Sequence, residues 1–304
     1  MTSTSADAVL PLTRNTVAPV RQRSALRDFR EIIADFRRSR DLLTQLTLRD
    51  IRVRYKQAAL GFAWALVIPV TIVLAGLAVR VAISYASGHP LETEQLARMA
   101  VKSIPWAFFV GCIGSATPSL VGNITLVTKI YFPREVLPIA ACIAQTFDSS
   151  IGLLAVAVVL PFLGVSPSLQ LLWVPILLAL LWALSAAAAL FLSCANLFFR
   201  DVKYMVQVFL SFGIFFTPVL VDAPMFGPRF APIIMLNPVS PILEGLRLAV
   251  VDHHNLIHPV LSNPGHWVSW HPWYLAYSAA WTLIGLLASA LFFHRSERRF
   301  ALYV

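Results

Sequence analysis

The sequence predicts an all-α polytopic membrane protein with six transmembrane helices, and three observations support that prediction. Hydrophobic residues make up 58% of the 304 residues and charged residues only 13%, whereas soluble globular domains carry roughly a quarter charged residues. The mean hydropathy is +0.73. Long uncharged runs recur at 57–79, 103–128 and 149–199. Because a helix rises 1.5 Å per residue, about 20 such residues cross a hydrocarbon core of about 30 Å.

The charge distribution predicts the orientation. The strongly basic stretch 49–56 stands directly before the first uncharged run, and such a flank stays on the cytoplasmic side. Six spans with both termini in the cytoplasm leave 19 of the 24 Lys and Arg residues inside and five outside. The net charge of +9 therefore lies mainly beside anionic headgroups. Membrane lipids are the expected counter-charge, and no nucleic-acid partner is expected.

The N-terminal region divides into two parts. Residues 1–24 are rich in Ser, Thr, Ala and Pro, which is typical of a flexible tail, here on the cytoplasmic side. In residues 25–57 apolar side chains recur at three- and four-residue steps between arginines, which predicts an amphipathic helical region. Two interpretations are open for it: a helix in the cytoplasmic membrane interface, or a cytoplasmic helix packed on its neighbours.

Residues 58–294 are predicted to form the transmembrane domain, and residues 295–304 a cytoplasmic tail. The six spans are placed at about 60–84, 103–128, 138–163, 171–198, 204–221 and 273–293. Pro69 should kink the first span, because proline removes a helical hydrogen bond. Arg80 lies near the outer end of this span, where its side chain can reach water by snorkelling. The turn signal GVSPS at 164–168 separates the third and fourth spans.

The segment 222–251, between the fifth and sixth spans, differs from the rest. Five prolines interrupt it, so it is too broken to cross and is predicted to be an outer re-entrant segment. Glu244 and Arg247 stand three residues apart on a predicted helix, where they can form a local ion pair.

Neither histidine nor cysteine predicts a metal site. The outer loop that follows the re-entrant segment is either a metal-binding loop or a solvated one, and its spacing fits no standard site. Its candidate ligands are Asp252, His253, His254, His258, His266 and His271. Cys112, Cys142 and Cys194 lie singly in apolar runs and are interpreted as buried hydrophobic residues. No metal is therefore expected.

Several separated blocks resemble one known family. These are RDIRVRYKQAALGFAWALVIP at 49–69, NITLVTKIYFPREVLP at 123–138, FRDVKY at 199–204, TPVL at 217–220 and LNPVSPILEGLR at 236–247. In this order they resemble motifs of ABC-2 type permeases that export polysaccharides and polyol phosphates, such as O-antigen, teichoic acid, capsule or galactan. The resemblance covers about residues 40–300, and the C-terminal RRFALYV departs from the family pattern.

The resemblance implies a permease subunit in the bacterial inner membrane, working as a homodimer with two copies of a separate ABC ATPase. The cargo would be a lipid-linked glycan, while ATP and Mg would be bound by the ATPase. The chain itself contains no GxxxxGK[ST] loop and no evident nucleophile–base pair or metal motif, so it is not expected to be an enzyme. Two alternatives are an ABC-2 exporter of drugs or small lipids and a membrane enzyme acting on lipid-linked sugars.

Three groups of candidate residues follow, with no catalytic residue among them. Coupling to the ATPase is assigned to Lys129, Tyr131, Phe132, Arg134 and Glu135. Contact with lipid phosphates at the entrance, or anchoring of the helix, is assigned to Arg52, Arg54, Tyr55 and Lys56. The substrate channel is assigned to the aromatic residues Trp64, Phe108, Phe109, Phe212, Phe215 and Phe216, whose flat faces can stack on sugar rings, and to Asp148. Because a charge inside a span costs about 2.5–3.5 kcal/mol, Asp148 is either a channel or gating contact, or a protonated or hydrogen-bonded packing residue.

Overall fold

The computed structural model describes residues 25–56, 61–88, 93–129, 132–262, 267–297 and 300. The predicted tail at 1–24 and most of the predicted tail at 295–304 lie outside the described residues. The same is true of Tyr131, one of the predicted coupling residues.

Helices dominate the described residues, as predicted for an all-α membrane protein. In chain order they are α1 (Ala25–Arg38), α2 (Arg40–Tyr55), α3 (Trp64–Ser87), α4 (Thr93–Ala116), α5 (Ser119–Gly122), α6 (Ile124–Lys129), α7 (Val136–Val159), α8 (Trp173–Phe198), α9 (Val202–Gly213), α10 (Gly227–Met235), α11 (Val239–Val250) and α12 (Pro272–Glu297). A two-stranded antiparallel sheet of β1 (Val260–Ser262) and β2 (Trp267–Trp270) lies between α11 and α12.

Five helical segments within the described residues are long and apolar enough to cross a membrane. They are Trp64–Ala82, Thr93–Ala116, Val136–Leu163, Leu169–Phe198 and Pro272–Glu297. The protein is thus a multi-pass membrane protein. The span predicted at 204–221 corresponds to a shorter apolar helix, Val202–Phe216, so six crossings stay a prediction.

The second spanning helix differs from the prediction at its outer end. The sequence places the start of the second span at about residue 103, but α4 already begins at Thr93. Arg98 donates to Glu94 at 2.8 Å, one helical turn away, and Lys102 is completely buried. Charged residues in this stretch are therefore accommodated by ion pairs on a helix, which an average over hydropathy does not detect.

Glycines end two of the spanning helices. Gly88 follows α3 with φ 72°, and its N–H donates to the carbonyl of Ser84 at 2.8 Å. Gly164, with φ 84°, closes the 3-10 turn that extends α7, as the GVSPS turn signal predicted. Both residues adopt the left-handed conformation that glycine tolerates best.

Helix α4 lies at the centre of the bundle, where it packs against α3, α7, α8 and α11. Its approach to α7 is close. A Cβ added to Gly111 would lie 2.5 Å from the Gln145 side chain, and one added to Gly152 would lie 2.8 Å from Ile104. The absence of a Cβ at these two glycines leaves room for the side chains of Gln145 and Ile104 from the facing helix.

The two N-terminal helices pack on the half of the bundle that is predicted to be cytoplasmic. Ile32 of α1 and Leu46 of α2 are buried in a core cluster with Val136 and Phe293, and α2 packs along α7. This arrangement brings the basic end of α2 beside the first spanning helix. Whether the pair also touches lipid stays a prediction.

The predicted re-entrant segment consists of two short helices. Every residue of α11 is buried, and α11 packs against α4, α8 and α12. The predicted ion pair within it is confirmed, because Arg247 donates to Glu244 through Nε at 2.9 Å and through Nη2 at 2.7 Å. The depth of α10 and α11 in the membrane stays a prediction.

Candidate functional site

A cavity of about 280 Å³ lies where the end of α2 meets α3, α4 and α7. Its polar lining consists of Arg54, Tyr55, Gln145, Asp148 and Ser149, and its apolar lining includes Trp64, Ile68, Pro69, Ile104 and Ala107. Four residues that the sequence assigned separately to the entrance or the channel, Arg54, Tyr55, Trp64 and Asp148, therefore share one space.

Asp148 is the acceptor at the centre of this site. Its side chain is nine-tenths buried, and its carboxylate forms an ion pair with Arg54 and accepts a hydrogen bond from the Tyr55 hydroxyl at 2.6 Å. Arg54 also donates to Oε1 of Gln145 at 2.9 Å. Asp148 is thus hydrogen-bonded, as one of its two predicted interpretations required, and the same contacts place it in a cavity.

Tyr55 acts as a donor in this arrangement. Burial raises the pKa of its phenol, which outweighs the opposite influence of the Arg54 charge. The hydroxyl therefore keeps its proton near neutral pH and can donate to the carboxylate. The Tyr55 ring also contacts Phe147 edge to face, with centroids 6.5 Å apart, which holds the ring against α7.

Pro69 contributes to the cavity through the backbone. It lies inside α3 and has no N–H to donate to the carbonyl of Ala65, four residues earlier. Ala65 and Pro69 both line the cavity. The cavity lining therefore includes a residue, Ala65, whose carbonyl lacks its usual helical hydrogen bond.

The other entrance residues lie outside the cavity lining. Arg52 and Lys56 are exposed at the end of α2. Their exposed charges are accessible to groups outside the chain. The roles assigned to them stay predictions.

The remaining channel aromatics are not brought together. Phe108 is buried in the core, and Phe109 stacks on Trp106 with ring centroids 5.7 Å apart. Phe212, Phe215 and Phe216 are exposed on α9 and the turn after it. Only Trp64 of the six lines the cavity described above, so a shared aromatic channel stays a prediction.

The described coupling candidates lie at the last residue of α6 and between α6 and α7, and they make different contacts. Lys129 is exposed, and Phe132 packs against the core cluster that contains Val136 and Phe293. Arg134 donates to the Glu297 carbonyl at 2.9 Å and to the Val127 carbonyl at 3.2 Å. This arginine therefore joins α6 to the end of α12. Glu135 is buried beside His294.

A buried ionic cluster around Asp222, on the side of the bundle predicted to face outward, was not foreseen from the sequence, apart from the Glu244–Arg247 pair. Asp222 lies 2.5 Å from Nζ of Lys102, 3.2 Å from Arg80 and 3.9 Å from Arg247. The expectation that Arg80 reaches water is wrong, because its side chain is buried against Asp222. A charged residue in an apolar run signals a buried partner, but the sequence does not identify that partner.

Charges within this outer cluster stabilise one another. Burial alone would raise the pKa of Asp222, but the charges of Lys102, Arg247 and Arg80 together hold it well below its usual range. Burial alone would likewise lower the pKa of Arg247, and the carboxylates of Glu244 and its neighbours raise it above its usual range. Both groups remain charged at every physiological pH, so the cluster ties α3, α4 and α11 together by electrostatic attraction.

The histidines of the outer loop make separate contacts where the structure describes them. His253 Nε2 lies 3.4 Å from Ser166, His254 lies 2.9 Å from the His258 carbonyl, and Trp273 donates to His271. His266 lies outside the described residues. Within the described part of this loop, no three potential ligands converge into a metal-binding group.

The described residues thus form a polytopic helical membrane protein with a charged cavity at the end of α2. The chain belongs to the ABC-2 type transporter family, whose family model matches residues 41–251, more than two thirds of its length.

Two curated relatives illustrate the similarity. The O-antigen export system permease protein RfbA of Klebsiella pneumoniae is 26% identical over 212 residues, which cover 68% of this chain and 79% of the relative. The protein of the same name in Myxococcus xanthus is 23% identical over 226 residues, which cover 73% of this chain and 85% of the relative.

Proposed function

We propose that this chain is the transmembrane permease subunit of an ATP-driven ABC exporter that moves a lipid-linked polysaccharide across the bacterial inner membrane. The observation that carries the proposal is the family match over residues 41–251 together with relatives named for O-antigen export. The cavity that joins Arg54 of α2 to Asp148 of α7 supports it, because this cavity offers a cationic donor at the point where α3 begins.

The entrance chemistry follows from the charges. A lipid-linked glycan carries phosphate, and a guanidinium binds phosphate through two parallel hydrogen bonds. Arg54 would exchange its bond with Asp148 for the phosphate, while the Tyr55 hydroxyl remains on the carboxylate. A cavity of about 280 Å³ is at the small end of small-molecule sites, so it fits the phosphate end of the cargo rather than the polymer.

Energy would come from a partner. Two copies of an ABC ATPase, which bind ATP and Mg, would contact α6 and the exposed Lys129, and a second copy of this chain would complete the conduit. Arg134 transmits the movement of α6, since it bonds both the Val127 carbonyl and Glu297 at the end of α12. The chain is then a transporter subunit and not an enzyme.

The topology proposed is six crossings with both termini in the cytoplasm. Helix α9 with its 3-10 turn covers Val202–Phe216, about 22 Å at 1.5 Å per residue and short of a core of about 30 Å. Residues 217–221, which are mostly apolar, would extend this segment toward the outer side. The buried helix α11 would then support the outer end of the conduit as a re-entrant element.

Deletion of the gene tests the function. The expected result is loss of a surface glycan together with accumulation of its lipid-linked precursor on the cytoplasmic side, restored by the wild-type chain. Accumulation of a drug or a small lipid instead, with normal surface glycan, would favour the alternative ABC-2 cargo. A precursor that accumulates chemically incomplete would favour a membrane enzyme acting on lipid-linked sugars.

A further inference from the structure

Three potential metal ligands converge at the cytoplasmic end of α12. One ligand atom each from Glu135, His294 and Glu297 lies within 4.8 Å of the others. His294 Nδ1 is 3.4 Å from Oε1 of Glu135, and His294 Nε2 is 3.7 Å from Glu31 on α1. These residues come from three distant parts of the chain, so the folded bundle and not the local sequence brings them together.

Glu135 provides an independent observation. The residue is only 3% exposed, and its Oε1, the atom that faces His294, is buried without a hydrogen-bond partner. A buried carboxylate oxygen without a hydrogen bond is costly, because it has lost its water and His294 at 3.4 Å does not replace the lost hydrogen bond. Such an atom points to a ligand that would satisfy it.

The charges favour a cation as that ligand. Three carboxylates, of Glu31, Glu135 and Glu297, surround His294, while Nε of Arg134 lies 3.9 Å from Glu297. The backbone N–H of Arg134 also donates to Oε1 of Glu297 at 3.2 Å, which orients that carboxylate and leaves its second oxygen for a metal. Crowded carboxylates repel one another, and a divalent ion between them removes that repulsion.

We propose that Glu135, His294 and Glu297 bind a divalent metal ion of the zinc class. One imidazole and two carboxylates suit zinc, whereas magnesium and calcium select oxygen ligands alone. Ligand atoms on one zinc ion lie about 3–4 Å apart, so movements of about 1 Å bring these three onto the ion. The ion would join the residue preceding α7 to the last turn of α12. This site is separate from the Arg54–Asp148 cavity and does not depend on the cargo.

Zinc binding to the purified full chain in detergent tests the proposal. After EDTA treatment, the wild-type protein is titrated with zinc alone, and bound metal is counted after desalting. One zinc ion per chain is expected, and a large excess of magnesium should not displace it. Failure of the wild-type chain to retain zinc at micromolar free metal would overturn the proposal.

Variants locate the site. Glu135→Gln and His294→Gln should weaken zinc binding by at least about tenfold, as losses around metal ligands do. His258→Gln removes a histidine from the outer loop and should leave the affinity unchanged. Unchanged affinity in Glu135→Gln and His294→Gln, or loss in His258→Gln, would place the metal elsewhere and refute the assignment.

An absorption spectrum of the wild-type chain with bound cobalt tests the proposed ligands even where a variant does not fold. Cobalt bound in place of zinc should give visible bands without the intense ultraviolet charge-transfer band of a thiolate, since the proposed ligands are nitrogen and oxygen. Zinc should also raise the melting temperature of the wild-type chain, because binding to the folded state stabilises it. A thiolate band, or no change in melting temperature, would contradict the proposed site.

Discussion

Arg54 and Asp148 lie 94 residues apart in the chain and form an ion pair that joins the end of α2 to the middle of α7. The two partners are unequally placed: the Arg54 side chain is 34% exposed, whereas the Asp148 side chain is 9% exposed. Water can therefore receive Arg54 when the pair breaks, but it cannot fully solvate Asp148. This asymmetry makes the pair suitable for an exchange in which the arginine leaves and the carboxylate stays on Tyr55.

A double-mutant cycle should reveal that asymmetry. Arg54→Ala leaves a buried carboxylate without its cation and should lower the free energy of unfolding by about 1–3 kcal/mol. Asp148→Asn leaves an arginine that turns to water and should cost less. The measurement is thermal or denaturant unfolding in detergent.

The double variant Arg54→Ala, Asp148→Asn should recover much of the stability lost in Arg54→Ala, while export stays impaired because the cationic donor is gone. Equal losses in the two single variants, with strict additivity in the double one, would show that the pair is not coupled.

The free energy of unfolding should depend far more on Asp222, in the outer ionic cluster, than on the exposed Glu94 nearby. Asp222→Asn leaves Lys102, Arg80 and Arg247 buried around a neutral amide, and should cost about 3–5 kcal/mol. Glu94→Gln, whose side chain is 49% exposed on the same outer surface, should cost about 1 kcal/mol or less. Both are measured as unfolding in detergent, and similar effects would contradict a buried cluster.

Lowering the pH should weaken the same cluster and so lower the stability of the folded chain. Since neighbouring cations hold the pKa of Asp222 below its usual range, its contribution is fully present above the unfolded value of about 3.9 and is lost as pH falls toward the folded value. Melting temperatures from pH 7 to pH 3 should therefore fall more steeply for the wild type than for Asp222→Asn. Parallel curves would show that Asp222 does not carry this pH dependence.

Local sequence was enough for the features that depend on composition and short spacing. Uncharged runs located the five spanning segments apart from the bounds of α4, the GVSPS turn located the end of the α7 segment, and a spacing of three residues predicted the Glu244–Arg247 pair. Each of these rests on neighbours within a few residues, or on an average over about 20 residues.

The long-range partners could not be predicted in this way. Arg80 meets Asp222 across 142 residues, and Arg54 meets Asp148 across 94. Hydropathy marks each of these charges as unusual in an apolar setting, but the pairing depends on how α3, α4 and α7 pack. Glu135 was assigned to coupling, while its approach to His294 of α12 emerged only from the fold.

Variants near the end of α6 should distinguish a residue that docks the ATPase, Lys129, from a residue that stabilises the fold, Arg134. Lys129 is exposed, so Lys129→Glu should leave the melting temperature unchanged while it lowers ATP hydrolysis by the assembled exporter severalfold. Arg134→Gln removes the bonds to Glu297 and Val127 and should destabilise the chain by about 1–3 kcal/mol. Unfolding and ATPase activity are measured on the same preparations; loss of stability in Lys129→Glu would contradict its assignment as a docking residue.

The number of crossings can be decided at α9, because Lys203 lies in the first turn of this helix and His258 follows α11 in the outer loop. Cys112, Cys142 and Cys194 are all buried, so cysteines introduced at exposed positions can be labelled over a low background. With six crossings, Lys203→Cys should react with a membrane-impermeant maleimide only after the membrane is opened, whereas His258→Cys should react in intact spheroplasts. Lys129→Cys should behave like Lys203→Cys. If α9 does not cross, residues 203 and 258 lie on one side and label together. That outcome would leave five spanning helices and place the two termini on opposite faces, because an odd number of crossings cannot return the chain to the side from which it started.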